Sequence, residues 1–295
     1  MENQPRKANG TIPGPLAGAP ELLEQLLRLD NVCREFPMND GTTLVVLKNL
    51  SLTIQNIKDK PQIVSLLGPS GSGKTTALRL IAGLDQPSAG TLGICTGEGQ
   101  ALRSVRVGDV GVVFQRYPLF DDLNVFNNLI EPAVNSGIPR EKARDKAAAF
   151  LNEFDMVRQG LSWPLQLSGG QRQRLAIMQQ LMLDRHFIIL DEPFSGLDPV
   201  NIVSVINMIS RVAHQHTLNT FLIITHDVTS ALMISDHVYL LGRERDAQGK
   251  AAPGSRVIKE YDLIAEGLAY HPDIEDRPRF SEIRREIRHD IFPLL

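Results

Sequence analysis

The chain has 295 residues, of which 42% are hydrophobic and 22% are charged. This composition is typical of a globular protein with a sizeable core and excludes a mainly disordered chain, while the length allows one large domain or two small ones. The formal net charge of −3 gives no overall basic field, so we expect no nucleic-acid partner.

Two cysteines, Cys33 and Cys95, are too few for a disulfide framework or a four-ligand zinc site, which favours a reducing cytosolic compartment. No run approaches the roughly 18 apolar residues that span a bilayer. Residues 1–20 lack a secretory pattern and are rich in glycine and proline, so we predict a flexible leader there.

The first predicted elements form two layers. Residues 26–32 and 44–54 alternate loosely and predict strands of a small antiparallel layer. Residues 63–67 form a short apolar run that ends in glycine, as in a buried parallel strand. Residues 75–82 predict a helix that Gly83 ends.

Two further apolar runs, residues 187–190 and 221–224, predict buried strands that end at Asp191 and at residues 225–227. Polar groups at the carboxyl ends of strands are where open α/β sheets bind ligands. Between Gln115 and Leu167 the composition favours helix, as at residues 141–151. We therefore predict a helical insertion.

Residues 68–75 fit the pattern of a phosphate-binding loop, G-x-x-x-x-G-K-[ST]. Its glycines let backbone amides turn toward one anion, Lys74 reaches the β- and γ-phosphates, and the Thr75 hydroxyl binds Mg²⁺. A glycine-rich turn with a surface lysine is the alternative, but the position between a strand and a helix favours phosphate. The expected nucleotide-binding residues here are Gly68, Pro69, Ser70, Gly71, Ser72, Gly73, Lys74, Thr75 and Thr76.

Asp191 and Glu192 follow a buried strand and predict the second half of a nucleotide site. An acidic residue at a strand end holds Mg²⁺ through water, which suits Asp191. Its neighbour Glu192 is then the candidate general base that polarises the attacking water. Read alone, the pair is equally a solvated turn before Pro193.

Residues 167–171 read Leu-Ser-Gly-Gly-Gln and place a serine and exposed amides at a helix N-terminus, which predicts a second anion site. With this motif the chain resembles the ATP-binding subunits of ABC transporters, whose signature sequence stands intact. The resemblance implies that the signature residues contact ATP; here they are Ser168, Gly169, Gly170 and Gln171.

The other motifs of that family follow in order over residues 26–245. Gln115 resembles the Q-loop glutamine, a catalytic and Mg²⁺-binding residue, and Asp198 lies in a sequence similar to the D-loop. His226 resembles the catalytic switch histidine. Phe36 stands where the family places the aromatic ring that stacks on adenine, although plain core is an equal alternative.

Two departures from the family pattern stand out. Residues 60–62 read Lys-Pro-Gln where a Gly-Glu pair is usual, which affects only the entry turn. Residues 178–180 read Met-Gln-Gln where Ala-Arg-Ala is usual. We expect this second change to alter contacts within the helical subdomain.

The resemblance implies a RecA-like P-loop NTPase core with an antiparallel β layer over residues 21–255, and a helical subdomain at about 116–170. It implies ATP and Mg²⁺ as cofactors, with Thr75, Gln115 and Asp191 on the metal. Two copies pair head to tail, most simply as a homodimer, so that each ATP lies between one phosphate loop and the other copy's signature.

The family also implies a separate transmembrane permease and, indirectly, a solute-binding protein, at the cytoplasmic face of the inner membrane. Residues 116–128 resemble importer subunits for nitrate, sulfonate and taurine, so a small anion, bicarbonate included, is the expected solute. Another solute, an exporter or a non-transport ATPase are the alternatives. Only 52 residues separate Gln115 from Ser168, too few for the coiled coil of repair ATPases.

Two surfaces remain. The segment 115–128 is the predicted permease docking surface, with Tyr117 and Phe120 expected to be exposed. Residues 256–295 are predicted as a C-terminal helical extension, because four apolar residues recur there at helical spacing. That helix either packs on its own domain or dimer mate, or serves a regulatory or membrane-surface role. Residues 242–255 predict a hairpin connection.

Overall fold

The structure is a computed structural model that describes residues 22–57, 60–95, 101–185, 187–215, 220–245, 248–249, 251–269, 271 and 273–292. The predicted leader, residues 1–20, lies outside these ranges. Within them, two sheets and seven α-helices form an α/β fold.

One sheet is the predicted antiparallel layer. Its four strands stand in the order β2-β1-β4-β5, and both predicted strands, 26–32 and 44–54, lie inside longer ones that pair with each other. The strands are β1 (Leu22–Pro37), β2 (Thr43–Ile57), β4 (Ala89–Ile94) and β5 (Arg103–Ser104).

The second sheet is the core of the fold, with six strands in the order β10-β9-β3-β8-β7-β6. All neighbouring pairs are parallel except β10 and β9. Its strands are β3 (Gln62–Leu67), β6 (Gly111–Val113), β7 (Phe187–Asp191), β8 (Thr220–Thr225), β9 (His237–Gly242) and β10 (Arg256–Asp262).

The central strands β3 and β8 are buried along their whole length, as their unbroken apolar runs predict for a sheet covered on both faces. The covering helices are α1 (Lys74–Ile81), α2 (Val125–Asn135), α3 (Arg140–Glu153), α4 (Gly169–Met182), α5 (Pro199–Gln215), α6 (Val228–Ile234) and α7 (Pro278–Arg285).

Helix α1 ends where the sequence predicted. Gly83 has a φ of +72°, and a Cβ there would lie 2.7 Å from the carbonyl carbon of Arg106. Only glycine accepts this left-handed turn against another backbone segment. The turn therefore fixes where the phosphate-binding helix stops.

Three apolar clusters hold the layers together. One lies between the antiparallel sheet, α1 and the core sheet, and a second joins the opposite face of the core sheet to α2, α3, α4 and α5. The second cluster includes the predicted helical subdomain. Gln179, at the departure from the family pattern, donates to the backbone oxygen of buried Asn128 at 3.0 Å, which joins α4 to α2 in this cluster.

The third cluster corrects the prediction of a helical extension from residue 256. Arg256–Asp262 is strand β10, which pairs antiparallel with β9 across the predicted hairpin connection. As an edge strand it is only partly buried, and its charged residues mask the alternation that would have identified it.

The helical part comes later, as a 3₁₀ turn (Ile274–Asp276), α7 and a π turn (Glu286–Ile291). Phe280, Ile283 and Ile287 are fully buried against the chain's own α6, β9 and β10. Packing on its own domain, one of the two alternatives, is therefore what the structure shows. In the ranges that the structure describes, no helix is long and apolar enough to cross a bilayer.

Candidate active site

The loop between β3 and α1 has the backbone of a phosphate cradle. Gly71 and Gly73 have φ of +83° and +88°, values open to glycine and costly for other residues. Gly73 packs against Val46 and Leu47 of β2, so the antiparallel layer supports the loop from one side. The loop enters α1, whose amides add positive potential.

The side chain of Lys74 turns back into this loop. Its Nζ donates to the backbone oxygens of Gly68 and Pro69 at 2.8 and 3.0 Å, and it lies 3.8 Å from Glu192 Oε1. Burial lowers the pKa of the ammonium, while the charges of Glu192 and Asp191 raise it. The loop thus concentrates one cation beside two carboxylates.

The loop residues fit a phosphate group. Ser72 Oγ is buried and has no hydrogen-bond partner among the described residues. Among the described residues, no backbone carbonyl accepts a hydrogen bond from the amide of Gly71 or Gly73. These unpaired donors and the Lys74 ammonium match the acceptor oxygens of a phosphate, and Thr75 is exposed where the loop meets the helix.

Glu192 stands directly after β7 in a left-handed conformation, with φ +49°. Its amide donates to the carbonyl of Ile224 at 2.7 Å, and its carboxylate accepts from Thr225 Oγ1 at 3.0 Å. Both carboxylate oxygens lie 2.9 Å from His226 Nδ1. The sequence-predicted base and switch histidine are therefore in direct contact.

Asp191 ends β7 opposite Ile224 and is half-buried. Burial raises the pKa of its carboxyl, the charge of Glu192 raises it further, and Lys74 opposes both. A cation at this carboxylate would offset the unfavourable burial of its charge. Among the described residues, no three His, Cys, Asp or Glu side chains are grouped so that they could hold a metal ion by themselves. Mg²⁺ would therefore need phosphate oxygens as further ligands.

Gln115 joins the site from the strand β6 side. Its Nε2 donates to Ser195 Oγ at 3.2 Å, which links the Q-loop position to the D-loop position. In the D-loop, Asp198 accepts from the amides of Val200 and Asn201 at 3.0 Å each and begins α5. These hydrogen bonds, those from Asn201 first, lower the pKa of Asp198.

A cavity of about 420 Å³ opens beside these loops. It is lined by Glu192, Ser195 and His226, and by Arg288 and Phe292 of the C-terminal segment. The sequence did not predict that this segment reaches the catalytic residues.

The signature residues form a cap at the start of α4. Ser168 Oγ accepts from the Gln171 amide at 3.3 Å, and Gln171 Oε1 accepts from the Ser168 amide at 2.9 Å, a reciprocal capping box. Nothing lies within 4 Å of a Cβ placed on Gly169 or Gly170. No hydrogen bond that the structure describes joins this cap to the phosphate loop.

Phe36 is half-buried in the β1–β2 hairpin, opposite Leu44 and two residues along from the strand segment that supports Gly73. The guanidinium of Arg34 lies 4.5 Å from its ring centroid. The ring is therefore partly exposed, with a cation on one face. Stacking on adenine stays a prediction.

The predicted docking segment is corrected at one residue. Tyr117 is not exposed: it is half-buried against the helical cluster, and this burial raises the pKa of its phenol to about 12. Phe120 is exposed as predicted, at 48%. The sequence before Phe120 has no alternation of polar and apolar residues that would have shown that Tyr117 is buried and Phe120 exposed.

A second apolar segment, missed by sequence reasoning, adjoins Phe120's segment. The amides of Val125 and Phe126 donate to the carbonyls of Ser162 and Gly160 at 2.9 Å each. Four exposed apolar side chains lie near residues 160 and 162 in the sequence: Val157, Leu161, Trp163 and Leu165. We call Phe120 with these four residues the apolar shoulder.

The fold and the site define a nucleotide-binding domain of the P-loop class. The family model for ABC transporters matches residues 47–195, which include the phosphate loop, the signature and Glu192. The chain belongs to this family.

Three characterised relatives are similar over about three quarters of this chain. The Fe(3+) ions import ATP-binding protein FbpC of Vibrio cholerae is 36% identical over 72% of this chain and 58% of its own length. The sulfate/thiosulfate import ATP-binding protein CysA of Thermosynechococcus vestitus is 34% identical over 74% and 69%. The macrolide export ATP-binding/permease protein MacB 2 of Yersinia pestis is 35% identical over 75% and 33%.

Two solved structures share the fold. The ATP-binding cassette MJ0796, a dimer in a post-hydrolysis state bound to ADP and phosphate, has a TM-score of 0.63 and 27% identity over 81% of this chain and 99% of its own. CbiO1 from Clostridium perfringens has a TM-score of 0.68 and 22% identity over 91% and 97%. The predicted fold class is confirmed.

Proposed function

We propose that this chain hydrolyses Mg²⁺-ATP in a head-to-tail dimer and thereby powers solute import through a separate permease. One observation carries the proposal. The phosphate loop, Glu192 and His226 form a connected cluster, whereas the signature cap at Ser168 presents open glycines and no described bond to that cluster. A second copy supplies the signature that such a cluster needs.

The chemistry follows from the contacts. Lys74 and the loop amides bind the β- and γ-phosphates and neutralise charge as the terminal phosphoryl group leaves. Glu192 orients and deprotonates the attacking water, and His226 holds the Glu192 carboxylate from its outer side. The Thr225 hydroxyl fixes the same carboxylate, so the base is positioned before ATP arrives.

Mg²⁺ would be held by Thr75, Gln115 and Asp191 together with phosphate oxygens. The exposed Thr75 hydroxyl is available, and burial of Asp191 favours an adjacent cation. Bound there, the ion supplies charge neutralisation for phosphoryl transfer. Gln115 links this position to Ser195, which couples the metal side of the site to the D-loop.

The permease partner fits the apolar shoulder. Five exposed apolar side chains lie on two segments joined by backbone hydrogen bonds, at the edge of the helical subdomain. Exposed apolar groups clustered in this way are typical of protein interfaces. A chain docked there works at the cytoplasmic face of the inner membrane, as a peripheral subunit.

Import is favoured over export by two of the three relatives reported above. The Vibrio and Thermosynechococcus proteins carry import in their names, and one of them handles an oxyanion. A small anion such as nitrate, sulfonate, taurine or bicarbonate remains our proposed solute, on the resemblance of residues 116–128. Macrolide export by the Yersinia relative makes export the second candidate.

The test reconstitutes the full chain in proteoliposomes with the proposed permease and solute-binding protein. We expect ATP hydrolysis that rises when the binding protein carries its solute, and uptake of labelled solute that Glu192→Gln abolishes. Labelled nitrate, taurine, sulfate and Fe³⁺ are compared in parallel. Outward transport, or hydrolysis without any coupled movement, contradicts the proposal.

A further inference from the structure

The C-terminal helix, residues 278–291, consists of α7 and the π turn that continues it. It lies outside the predicted motifs but reaches the catalytic cavity. Phe280, Ile283 and Ile287 anchor it fully buried on α6, β9 and β10. Beyond this anchor, Arg288 and Phe292 line the cavity that Glu192 and His226 also line. A rigidly packed helix therefore delivers one cation to the edge of the active site.

Arg288 contacts the loop that carries His226. Its Nη2 donates to Thr229 Oγ1 at 2.9 Å and lies 3.9 Å from Asp227 Oδ1. Asp227 follows His226 directly and caps α6, accepting from the Thr229 amide at 3.1 Å and from Ser230 Oγ at 2.5 Å. The arginine thus holds both sides of the turn between the histidine and its helix.

Stability alone does not account for this cation. The guanidinium of Arg288 lies against the first turn of α6, where a positive charge interacts unfavourably with the helix dipole. Its side chain is 48% exposed, and an exposed ion pair at 3.9 Å contributes little to folding. What the contact does fix is geometry, because the guanidinium contacts two positions of the histidine turn, Asp227 and Thr229.

We propose that Arg288 is a positioning residue for ATP hydrolysis. It holds the turn at Asp227 and Thr229, and through that turn it keeps His226 within hydrogen-bond distance of Glu192. The C-terminal helix is then part of the machinery rather than an accessory. The proposal rests on the hydrolytic roles given above to Glu192 and His226.

The first experiment compares steady-state ATP hydrolysis of the full-length Arg288→Ala and Arg285→Ala variants. Arg285 is exposed on the same helix and lines no part of the catalytic cavity, so it is the matched control. We expect Arg288→Ala to lower kcat on the order of tenfold with KM for ATP unchanged, because misplacing a catalytic group affects the chemical step. The control keeps the wild-type kcat.

A second measurement separates positioning from a general loss of structure. Thr229→Val removes the hydroxyl that accepts from Arg288 and keeps the side-chain shape. If both residues act through this bond, the double variant has the kcat of the Arg288→Ala variant alone, whereas independent effects multiply. Thermal melting of each variant shows that the fold is retained.

Three outcomes overturn the proposal: an unchanged kcat in Arg288→Ala, an equal loss in the Arg285→Ala control, or multiplying effects of Arg288→Ala and Thr229→Val. Failure of the proposed function looks different. In that case the wild-type chain itself shows no hydrolysis that depends on Glu192, and the Arg288 comparison has no activity to alter.

Discussion

The buried amide of Gln173 donates from Nε2 to the carbonyl oxygen of Pro193 at 2.9 Å. Gln173 lies one turn into the signature helix α4, and Pro193 follows the catalytic Glu192. The bond therefore joins the helix that carries the signature residues to the turn that carries Glu192.

Gln173→Ala should destabilise the chain by about 1–2 kcal/mol, because the buried carbonyl of Pro193 loses its described donor. Alanine is the better helix former, so helix propensity works against this loss. Urea unfolding followed by circular dichroism measures the change. Gln180→Ala, at a half-buried position of the same helix, is the control; an equal loss there contradicts the assignment.

Glu192→Gln should leave ATP binding intact and slow hydrolysis at least about a hundredfold, since water loses its base while Lys74 and Thr75 remain. Phosphate release measures turnover, and fluorescent nucleotide titration measures affinity. Near-normal turnover in the purified variant excludes Glu192 as the base.

Mixing two inactive variants tests where the site is assembled. Lys74→Ala removes the phosphate-binding ammonium and should weaken ATP binding, and Ser168→Arg pushes a bulky side chain into the signature cap. Each homodimer should be nearly inactive, because both of its sites carry a lesion. In a mixed dimer one site carries both lesions and the other carries none, so hydrolysis should exceed the sum of the separate variants.

The matched control mixes Lys74→Ala with Glu192→Gln. These lesions lie in the same connected cluster, so every site of their mixed dimer carries one lesion and no activity returns. Mass spectrometry of differently tagged copies verifies that mixed dimers form. If they form and the Lys74 and Ser168 variants still show no recovery, the site lies within one chain.

Phe120→Ala should weaken co-purification with the permease and reduce coupled transport, while basal hydrolysis stays near wild type, because Phe120 belongs to the apolar shoulder and not to the nucleotide site. Val107→Ala, which truncates an exposed apolar side chain outside the shoulder, is the control. Retained permease binding by Phe120→Ala moves the interface elsewhere.

Stability should fall as pH rises from about 10 to 12. Burial raises the pKa of Tyr117 to about 12, so between these values the folded chain keeps a proton that the unfolded chain releases. Tyr239 behaves alike, with its pKa also raised to about 12 by burial. Urea midpoints across this range measure the slope, which Tyr117→Phe should make shallower; an unchanged slope contradicts the buried phenol.

Much of the fold was predictable because its core strands are short, apolar runs. The central strands β3 and β8 read directly as buried, and the phosphate loop between β3 and α1 carries a strict spacing. The polar strand ends at Asp191 and His226 also indicated a ligand site, and the pairing of β7 with β8 brings Glu192 and His226 into contact there.

The remaining features depend on contacts between distant segments. Strand β10 is an edge strand rich in charge, so its sequence resembles a helix as much as a strand. The burial of Tyr117 and the approach of Arg288 to Thr229 depend on how whole elements pack. No local period encodes such contacts, and the sequence therefore indicated the motifs but not what supports them.

The left-handed backbone at Glu192 separates chemistry from folding at that position. A non-glycine residue at φ +49° carries a strain of about 1 kcal/mol, which glycine would avoid and asparagine would reduce. Replacing the glutamate by either residue should remove the proposed base and at the same time relieve this backbone strain. One substitution at this position would thus give a chain that still pairs on binding nucleotide but does not hydrolyse it. Selection for stability does not oppose that substitution.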